Sequence, residues 1–455
     1  MNQGKDAVSD GSAREFELAL EQFRSLLDRS EIDRLQPLAA SAVYTSLVTV
    51  WLLVHQRLHA GASLEQAVVR FLESTPESEN RRVREKTLSA NTGAYSRART
   101  RLKVEVTDWV ANHIFETLVS ASPPSLAGRR VFLLDGTTIP LAPTAELKAA
   151  FPPANNQHGP TVWPIAQLLV AHELESGCAL LPEIGAMYGT EAISEIEQAK
   201  QILQRLPTSS LLLADCNFGV FAMVHAGVQA RQDVLFRLTK SRFGSLVKNA
   251  QPLPSDTIHC RRWRLDWKPS AHERSAHGLS QNSSVHVYLH EFVRSELLTI
   301  WLVTTVDCSS QQIIDLYARR QEVETDIRDL KITLRTEEIR AKSVDMLRKE
   351  LAASIIAYNL VQQVRRIAAS QVNAKPRRLS FRGVWNAVHI CLLEPRLGKD
   401  DLPAAEWVVK FELALKIARQ KKIPLRPNRS FPRQAHKKCS KSNSGKKKTN
   451  PKPPK

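Results

Sequence analysis

The sequence predicts an α/β fold, because strand-like and helix-like runs alternate through the middle of the chain. Three apolar strand-like runs come first, starting with RRVFLLDGTTIPL. A helix near residues 192–205, a strand in SSLLLADCNF, a short helix and the strand DVLFRLTK follow in that order. Such an order is typical of a sheet covered by helices. The apolar fraction, 43%, is large enough for a packed core.

The flanking regions differ from this α/β stretch. Residues 13 to about 125 carry apolar residues at three- and four-residue spacing, which predicts helices. Residues 241 to about 295 are polar and basic with alternating runs, which predicts short antiparallel strands. LLTIWLVTTV then returns to a buried strand, and a long helix begins near Ser310. The basic tail from His436 has almost no apolar residues and is predicted to be disordered.

Charge indicates a polyanionic partner. Lys and Arg total 64 against 46 for Asp and Glu, a formal net charge of +18, so nucleic acid is the first expectation and an acidic membrane surface the second.

The most apolar stretch, Leu38 to Val54, is short for a bilayer span and contains polar residues, so a buried helix is expected there. The polar first residues and six scattered cysteines without a Cys-x-x-Cys pair predict a cytoplasmic protein without a zinc ribbon.

Two aspartates come directly after apolar runs. Asp135 follows Val131–Leu134, and Asp215 follows LLLA. The ends of central strands are where the sites of open α/β sheets form. An Asp at a strand end is also typical of a simple turn, so each Asp alone leaves both interpretations open.

The helix after the last predicted strand carries a further acid. At about 100° per residue, Tyr317, Arg320, Glu324 and Lys331 fall within about 60° of one another. Arg328 joins this face, whereas the neighbouring acids at positions 322 and 326 fall on the far side. A solvated helix with salt bridges along it is the alternative interpretation.

Together these motifs resemble one family. LLDGTT, LLLADCNF and the pattern Tyr317-x2-Arg320-x3-Glu324-x6-Lys331 resemble the insertion-sequence-four family of bacterial DDE transposases over about residues 126 to 370. The resemblance implies a ribonuclease-H-like catalytic core with a β-rich insertion, plus a helical N-terminal domain. The expected divisions are a helical DNA-binding domain (1–125), the first part of the core (126–240), the insertion (241–295), the second part of the core (296–375), a helical C-terminal region (376–435) and a disordered basic tail (436–455).

The resemblance also implies the chemistry. Asp135, Asp215 and Glu324 would be the catalytic residues and would hold two Mg²⁺ ions, for which Mn²⁺ is expected to substitute. Hard cations prefer such oxygen ligands, and two of them can drive cleavage and joining of DNA strands without a covalent protein nucleophile. Tyr317 and Arg320 would hold DNA phosphates near the cut, and Lys331 and Arg328 would do so farther along the helix.

Other DNA contacts are expected away from this helix. Trp301 matches a family position that stacks on a nucleotide flipped from the transposon end, although a core Trp is the alternative; Trp263 is a weaker candidate. The basic helix that contains Arg97, Arg99 and Arg101 is a candidate for recognising transposon ends, or else a solvated basic surface. Cys216 and Asn217 depart from the Arg and Gly that many members carry after the second Asp.

The expected function is cleavage of insertion-sequence ends and their transfer to target DNA. Expected partners are double-stranded DNA and, in the DNA complex, a second copy of the chain, in a cytoplasmic, nucleoid-associated setting. A metal-dependent nuclease of the same fold and a non-catalytic DNA-binding protein derived from a transposase are the alternatives. Loss of one carboxylate would favour the latter, and all three are present.

Overall fold

The computed structural model describes residues 28–39, 41–59, 62–73, 80–157, 159–295, 298–333, 339–388 and 405–424. Residues 13–27 of the predicted helical region and all of the predicted disordered tail lie outside these residues. The described residues up to Lys422 belong to one compact unit.

Helices make up the region before the sheet, as predicted. They are α1 (Arg29–Leu35), α2 (Ser46–Leu58), α3 (Leu64–Glu73), α4 (Arg81–Arg84), α5 (Gly93–Arg101) and α6 (Val104–Ser120). The apolar helix α2 is buried along its whole length, which confirms the expectation of a buried helix. None of the described helices combines the length and apolar character that a bilayer crossing requires.

The strands within the described residues form one mixed sheet. They are β1 (Val131–Pro140), β2 (Pro153–Asn156), β3 (Gly159–Glu173), β4 (Glu183–Ala186), β5 (Leu211–Ala214), β6 (Asp233–Leu238), β7 (Gln251–Leu253), β8 (Cys260–Trp267), β9 (Val285–Ser295) and β10 (Leu298–Thr304). Their order is β2-β3-β1-β5-β6-β10-β9-β8-β7. Strand β4 lies off this path and pairs with β3 on the side away from β1. β1, β5 and β6 run parallel, and the other pairings are antiparallel. The predicted α/β class is confirmed.

Helices connect and cover these strands. Those among the strands are α7 (Ala145–Ala150), α8 (Glu195–Arg205), α9 (Phe221–Gln229), α10 (Lys240–Val247) and α11 (Ala271–His277). Those after β10 are α12 (Ser310–Ala318), α13 (Glu322–Arg328), α14 (Val344–Ser370), α15 (Phe381–Val388) and α16 (Ala405–Arg419).

Alternate residues of the central strands face two different cores. Phe132 and Leu134 of β1 join a cluster with α6 and α14. Val131 and Leu133 face the other side and pack with the residues of α12 and α13. Because successive side chains in a strand point to opposite faces, Asp135 follows the parity of Val131 and Leu133. The strand alternation therefore directs Asp135 toward α12 and α13.

The long helix expected from Ser310 is segmented. A 3-10 turn, Arg319–Gln321, separates α12 from α13, and a π-helical stretch, Asp329–Thr333, follows α13. The uniform 100° rotation assumed for Tyr317 to Lys331 is therefore wrong in detail. Irregular helical turns of this kind often occur at functional sites, and these two flank Glu324.

Candidate active site

Asp135 lies within a strand rather than at its end. β1 continues to Pro140 along β3, where Asp135 pairs with Val170, but its parallel pairing with β5 stops at Leu133. The carboxylate accepts a 3.0 Å hydrogen bond from the amide of Gly136. Burial raises the pKa of Asp135; Arg320 opposes this rise, and Asp215 adds to it. Asp135 was expected at the end of a strand. It lies instead within β1, just beyond the last residue of β1 that pairs with β5.

Asp215 follows β5 directly, as predicted. Leu211 and Leu213 pack on the same side of the sheet as Val131 and Leu133, so strand alternation directs Asp215 to that side too. Its carboxylate accepts a 2.9 Å hydrogen bond from the amide of Asn217. This is the local turn that the alternative interpretation predicted, and it coexists with proximity to Asp135.

One guanidinium group brings the three predicted carboxylates together. Arg320 Nη2 lies 3.2 Å from Asp135 Oδ2 and 3.8 Å from Asp215 Oδ2. Its Nη1 lies 3.5 Å from Glu324 Oε1. The Arg320 side chain is only 16% exposed, whereas that of Glu324 is 49% exposed. The three acids thus surround one cationic point at the margin of the sheet.

The neighbouring acids of the helix point elsewhere. Glu322 pairs with Arg319 at 3.0 Å and with Arg377 at 3.2 Å. Asp326 is buried and pairs with Arg377. Glu324, of the three acids considered in this helix, is therefore the one that meets Asp135 and Asp215 around Arg320, as its spacing suggested.

Tyr317 and Lys331 extend the site along the helix and β1. Burial raises the pKa of the Tyr317 phenol to about 12. The positive charges of Arg320 and Arg237 oppose this rise, and the negative charge of Asp215 adds to it. Lys331 Nζ donates a 3.1 Å hydrogen bond to the carbonyl oxygen of Thr138, three residues beyond Asp135 on the same strand. Tyr317 therefore lies near Arg320 and Asp215, and Lys331 contacts the strand that carries Asp135.

Trp301 lies in an aromatic cluster. Its indole nitrogen donates a 3.1 Å hydrogen bond to Glu291 Oε1, and its ring lies 6.3 Å from that of Phe243. Trp263 meets the same Phe243 edge-on at 5.6 Å. Trp301 is only partly buried in this cluster. Both interpretations, a contact with a base and a role in the core, therefore agree with its position.

The predicted DNA-binding arginines have different surroundings. Arg97 is exposed, Arg99 pairs with the buried Glu350, and Arg101 donates a 3.2 Å hydrogen bond to the carbonyl oxygen of Tyr44. Arg328 is 60% exposed and lies 4.0 Å from Asp329. The structure thus uses Arg99 to join α5 to α14, and a DNA role for these arginines stays a prediction.

The sequence patterns did not single out Glu195. It begins α8, and burial raises the pKa of its carboxyl, an effect to which Asp135 and Asp215 add. The signal was present only as an acid in the first turn of a helix, which is common because acids there interact favourably with the helix dipole. Only the tertiary structure shows which way this acid points.

The donor set around Arg320 suits a hard divalent cation. Carboxylate oxygens are the ligands that Mg²⁺ prefers in proteins, and these three already converge on one positive group. Within the described residues, no three His, Cys, Asp or Glu side chains lie close enough together to hold a metal ion as they stand. The guanidinium of Arg320 lies among the three carboxylates in this arrangement.

Comparison with known proteins gives a family. Residues 126–360, slightly more than half of the chain, match the family model described as "Transposase DDE domain". The chain is 25% identical over 356 residues to the transposase InsG of insertion sequence element IS4 from Escherichia coli (strain K12), covering 75% of each protein. A solved piggyBac transposase synaptic complex with hairpin DNA aligns over 92% of this chain and 88% of its own, at 10% identity and a TM-score of 0.43. The chain therefore belongs to the transposase DDE domain family, as its resemblance to insertion-sequence-four transposases predicted.

Proposed function

We propose that this chain cuts DNA at the ends of an insertion sequence and joins those ends to target DNA, with Asp135, Asp215 and Glu324 as its catalytic carboxylates. The observation that carries the proposal is the convergence of all three on Arg320, each within 3.8 Å of a guanidinium nitrogen. Family membership points to the same class of reaction. The three acids come from separate elements, β1, the end of β5 and α13.

The strand order supports a ribonuclease-H-like core. The path β4-β3-β1-β5-β6 has one long antiparallel pairing, β3 with β1, followed by parallel pairings of β1, β5 and β6. β7, β8 and β9 extend the far side of this core through β10, in agreement with the proposed β-rich insertion at 241–295. The helices before residue 125 would make up the proposed N-terminal domain.

Asp135, Asp215 and Glu324 would hold the divalent ions, Mg²⁺ or in its place Mn²⁺. Such ions supply charge neutralisation at the phosphate and activation of a water or 3′-hydroxyl for attack. Asp135 is held by the amide of Gly136 and Asp215 by that of Asn217, so two of the three acids are oriented by the backbone before any ion binds.

Cationic and phenolic groups beside the acids would bind the DNA backbone. Arg320 would hold a phosphate next to the carboxylates, with the Tyr317 phenol beside it. Lys331 would hold another phosphate farther along β1, and Trp301 would stack on an unpaired base. The bidentate geometry of a guanidinium suits phosphate oxygens, and the net charge of +18 favours long-range attraction of DNA. Two copies of the chain would hold two DNA ends.

The test is cleavage and joining of a duplex that carries the element's own terminal sequence, with Mg²⁺ present. Glu324→Gln should abolish both reactions while the protein still binds the duplex. Asp315→Asn is the matched control, because Asp315 is an exposed acid in the preceding helix whose partner is Gln311. Equal activity of wild type and Glu324→Gln would sink the assignment. Cleavage without joining by the wild type would indicate a nuclease instead.

A further inference from the structure

Glu195 lies against the residue that follows Asp135. A Cβ atom added at Gly136 would lie 2.1 Å from Glu195 Oε1 and 2.9 Å from its Cδ. No left-handed backbone angle occurs at Gly136, so backbone conformation does not require a glycine there. The missing side chain instead leaves the space that the Glu195 carboxylate fills. The glycine of the LLDGTT motif thereby allows the Glu195 carboxylate to lie against the residue that follows Asp135.

The surroundings of Glu195 are electrostatically unfavourable. Besides burial, the negative charges of Asp135 and Asp215 raise the pKa of its carboxyl, and its hydrogen-bond partner is the neutral side chain of Gln167. Within the described residues, no Lys, Arg or His forms an ion pair with it. Neighbouring like charges repel one another unless a cation lies between them. Groups held at such a cost are concentrated at functional sites.

A neighbouring glutamate shows that helix stability alone does not explain Glu195. Glu197 also lies in the first turn of α8, where an acid interacts favourably with the helix dipole. Glu197, however, pairs with Lys200 at 2.6 Å and its side chain is 46% exposed. The same helix turn thus offers one acid to solvent and directs the other toward Gly136.

The rest of α8 holds Glu195 in this direction. Ser194 caps the helix by accepting a hydrogen bond from the Glu197 amide at 3.3 Å. Gln198 donates to the carbonyl oxygen of Gln167 on β3 at 3.3 Å, and Arg205 pairs with Glu183 of β4. The helix is therefore attached to β3 near its start and to β4 at its end, which limits how far Glu195 can move away from Gly136.

We propose that Glu195 is a positioning residue of the active site, whose charge strengthens divalent-cation binding by Asp135, Asp215 and Glu324 and whose location depends on the absence of a side chain at Gly136. This inference rests on the proposed function, because it concerns the same cation site. Removing Glu195 leaves the three ligands in place but takes away a negative charge beside them. Changes in the groups that support metal ligands commonly reduce metal affinity by roughly tenfold or more.

The experiment measures Mn²⁺ binding to the full chain without DNA, by calorimetry and by the thermal shift that Mn²⁺ produces. Glu195→Gln should weaken Mn²⁺ binding by roughly tenfold, while Glu197→Gln, the matched control, leaves it unchanged. The melting temperature of metal-free Glu195→Gln should equal or exceed that of wild type, because one repulsive charge is gone. Unchanged Mn²⁺ affinity in Glu195→Gln overturns the proposal. A lower metal-free melting temperature that accompanies weaker binding also overturns it, since it indicates a structural role.

Gly136→Ala tests the spatial part of the proposal. The atom that the new methyl group meets is the end of a flexible side chain, so the carboxylate is expected to move away while the protein folds. Mn²⁺ binding should weaken as in Glu195→Gln, yet the same Gly136→Ala change should have no further effect in a Glu195→Ala background. Additive effects of the two changes would contradict the coupling.

Asp135→Asn separates this inference from the proposed function. If Asp135→Asn loses Mn²⁺ binding while Glu195→Gln keeps it, the carboxylate site stands and the role of Glu195 is refuted. If Asp135→Asn binds Mn²⁺ as wild type does, the metal site itself is misplaced, and both proposals fall.

Discussion

Arg320 and Asp135 form an ion pair, with Nη2 and Oδ2 3.2 Å apart, at the point where β1 loses its pairing with β5. The same guanidinium also faces Asp215 and Glu324. In the absence of other cations, Arg320 is thus the counter-charge that allows three acids to share one site. A phosphate and a divalent cation entering this site would change the partners of every one of these groups.

Arg320→Ala should separate this counter-charge role from DNA binding. Without the guanidinium, repulsion among the carboxylates should destabilise the metal-free protein by about 1.5–3 kcal/mol, the usual range for hydrogen bonds to charged groups. The melting-temperature increase caused by Mn²⁺ should become larger, because no internal cation competes. Arg328→Ala, which removes a 60% exposed arginine of the same helical region, is the control. A smaller Mn²⁺ response in Arg320→Ala would contradict this role.

The raised pKa of Asp135 predicts a pH-dependent effect on stability. An acid whose pKa is higher in the folded protein favours folding while it is protonated, and this benefit disappears as pH rises through the folded value. Asp135→Asn should therefore raise the free energy of unfolding of the metal-free protein at neutral pH. The gain should shrink as pH falls toward the ordinary Asp value of about 3.9.

Urea unfolding of wild type and Asp135→Asn across this pH range measures the difference. Asp315→Asn provides the comparison with an exposed aspartate. A gain in Asp135→Asn that does not change with pH would show that the cause is not the titration of this carboxyl.

Lys331 should contribute a phosphate contact whose loss is visible in salt dependence. Lys331→Met is expected to lower affinity for every duplex sequence and to reduce the slope of log K against log salt concentration by about 0.9, the value for one phosphate. Lys200→Met, in which the lost amine had paired with Glu197, should leave the slope unchanged. Equal slopes for wild type and Lys331→Met would place Lys331 outside the DNA interface.

Trp301 can be tested without disrupting its aromatic cluster. Trp301→Phe retains a ring beside Phe243 but loses the indole donor to Glu291. If Trp301 stacks on a base, quenching of 2-aminopurine placed at the DNA end should fall in Trp301→Phe and persist in Trp263→Phe. Equal quenching in both variants, with unchanged melting temperatures, would favour a core role for Trp301.

The sequence predicted the strands well because their signals are local. The apolar runs before Asp135 and Asp215 form β1 and β5, and LLTIWLVTTV forms β10. Asn91 accepts a 2.7 Å hydrogen bond from the Gly93 amide at the start of α5, which is a contact between near neighbours in sequence. Runs of apolar residues and side-chain hydrogen bonds at the start of a helix depend on neighbours in sequence, so they can be recognised without knowledge of the fold.

The helix that carries Glu324 was predicted only in part. Spacing separated Glu324 from Glu322 and Asp326, and the ion pairs of those two acids with Arg377 agree with that choice. The 3-10 turn and the π-helical stretch were not predicted, because they depend on how the helix packs against the sheet. Arg99 was judged by its charge alone, whereas its partner Glu350 is distant in sequence.

The sequence by itself predicted the family, the α/β class and the three candidate acids, because motif spacing and strand alternation are properties of neighbouring residues. The tertiary structure decided what lies between and beside these acids: Arg320 among all three, and Glu195 over Gly136. These relationships join β1, β5, α8 and α13, segments far apart along the chain. Electrostatic energy depends on distance through space, so only the folded chain could show that Glu195 lies over Gly136 and that Asp135 and Asp215 act on it.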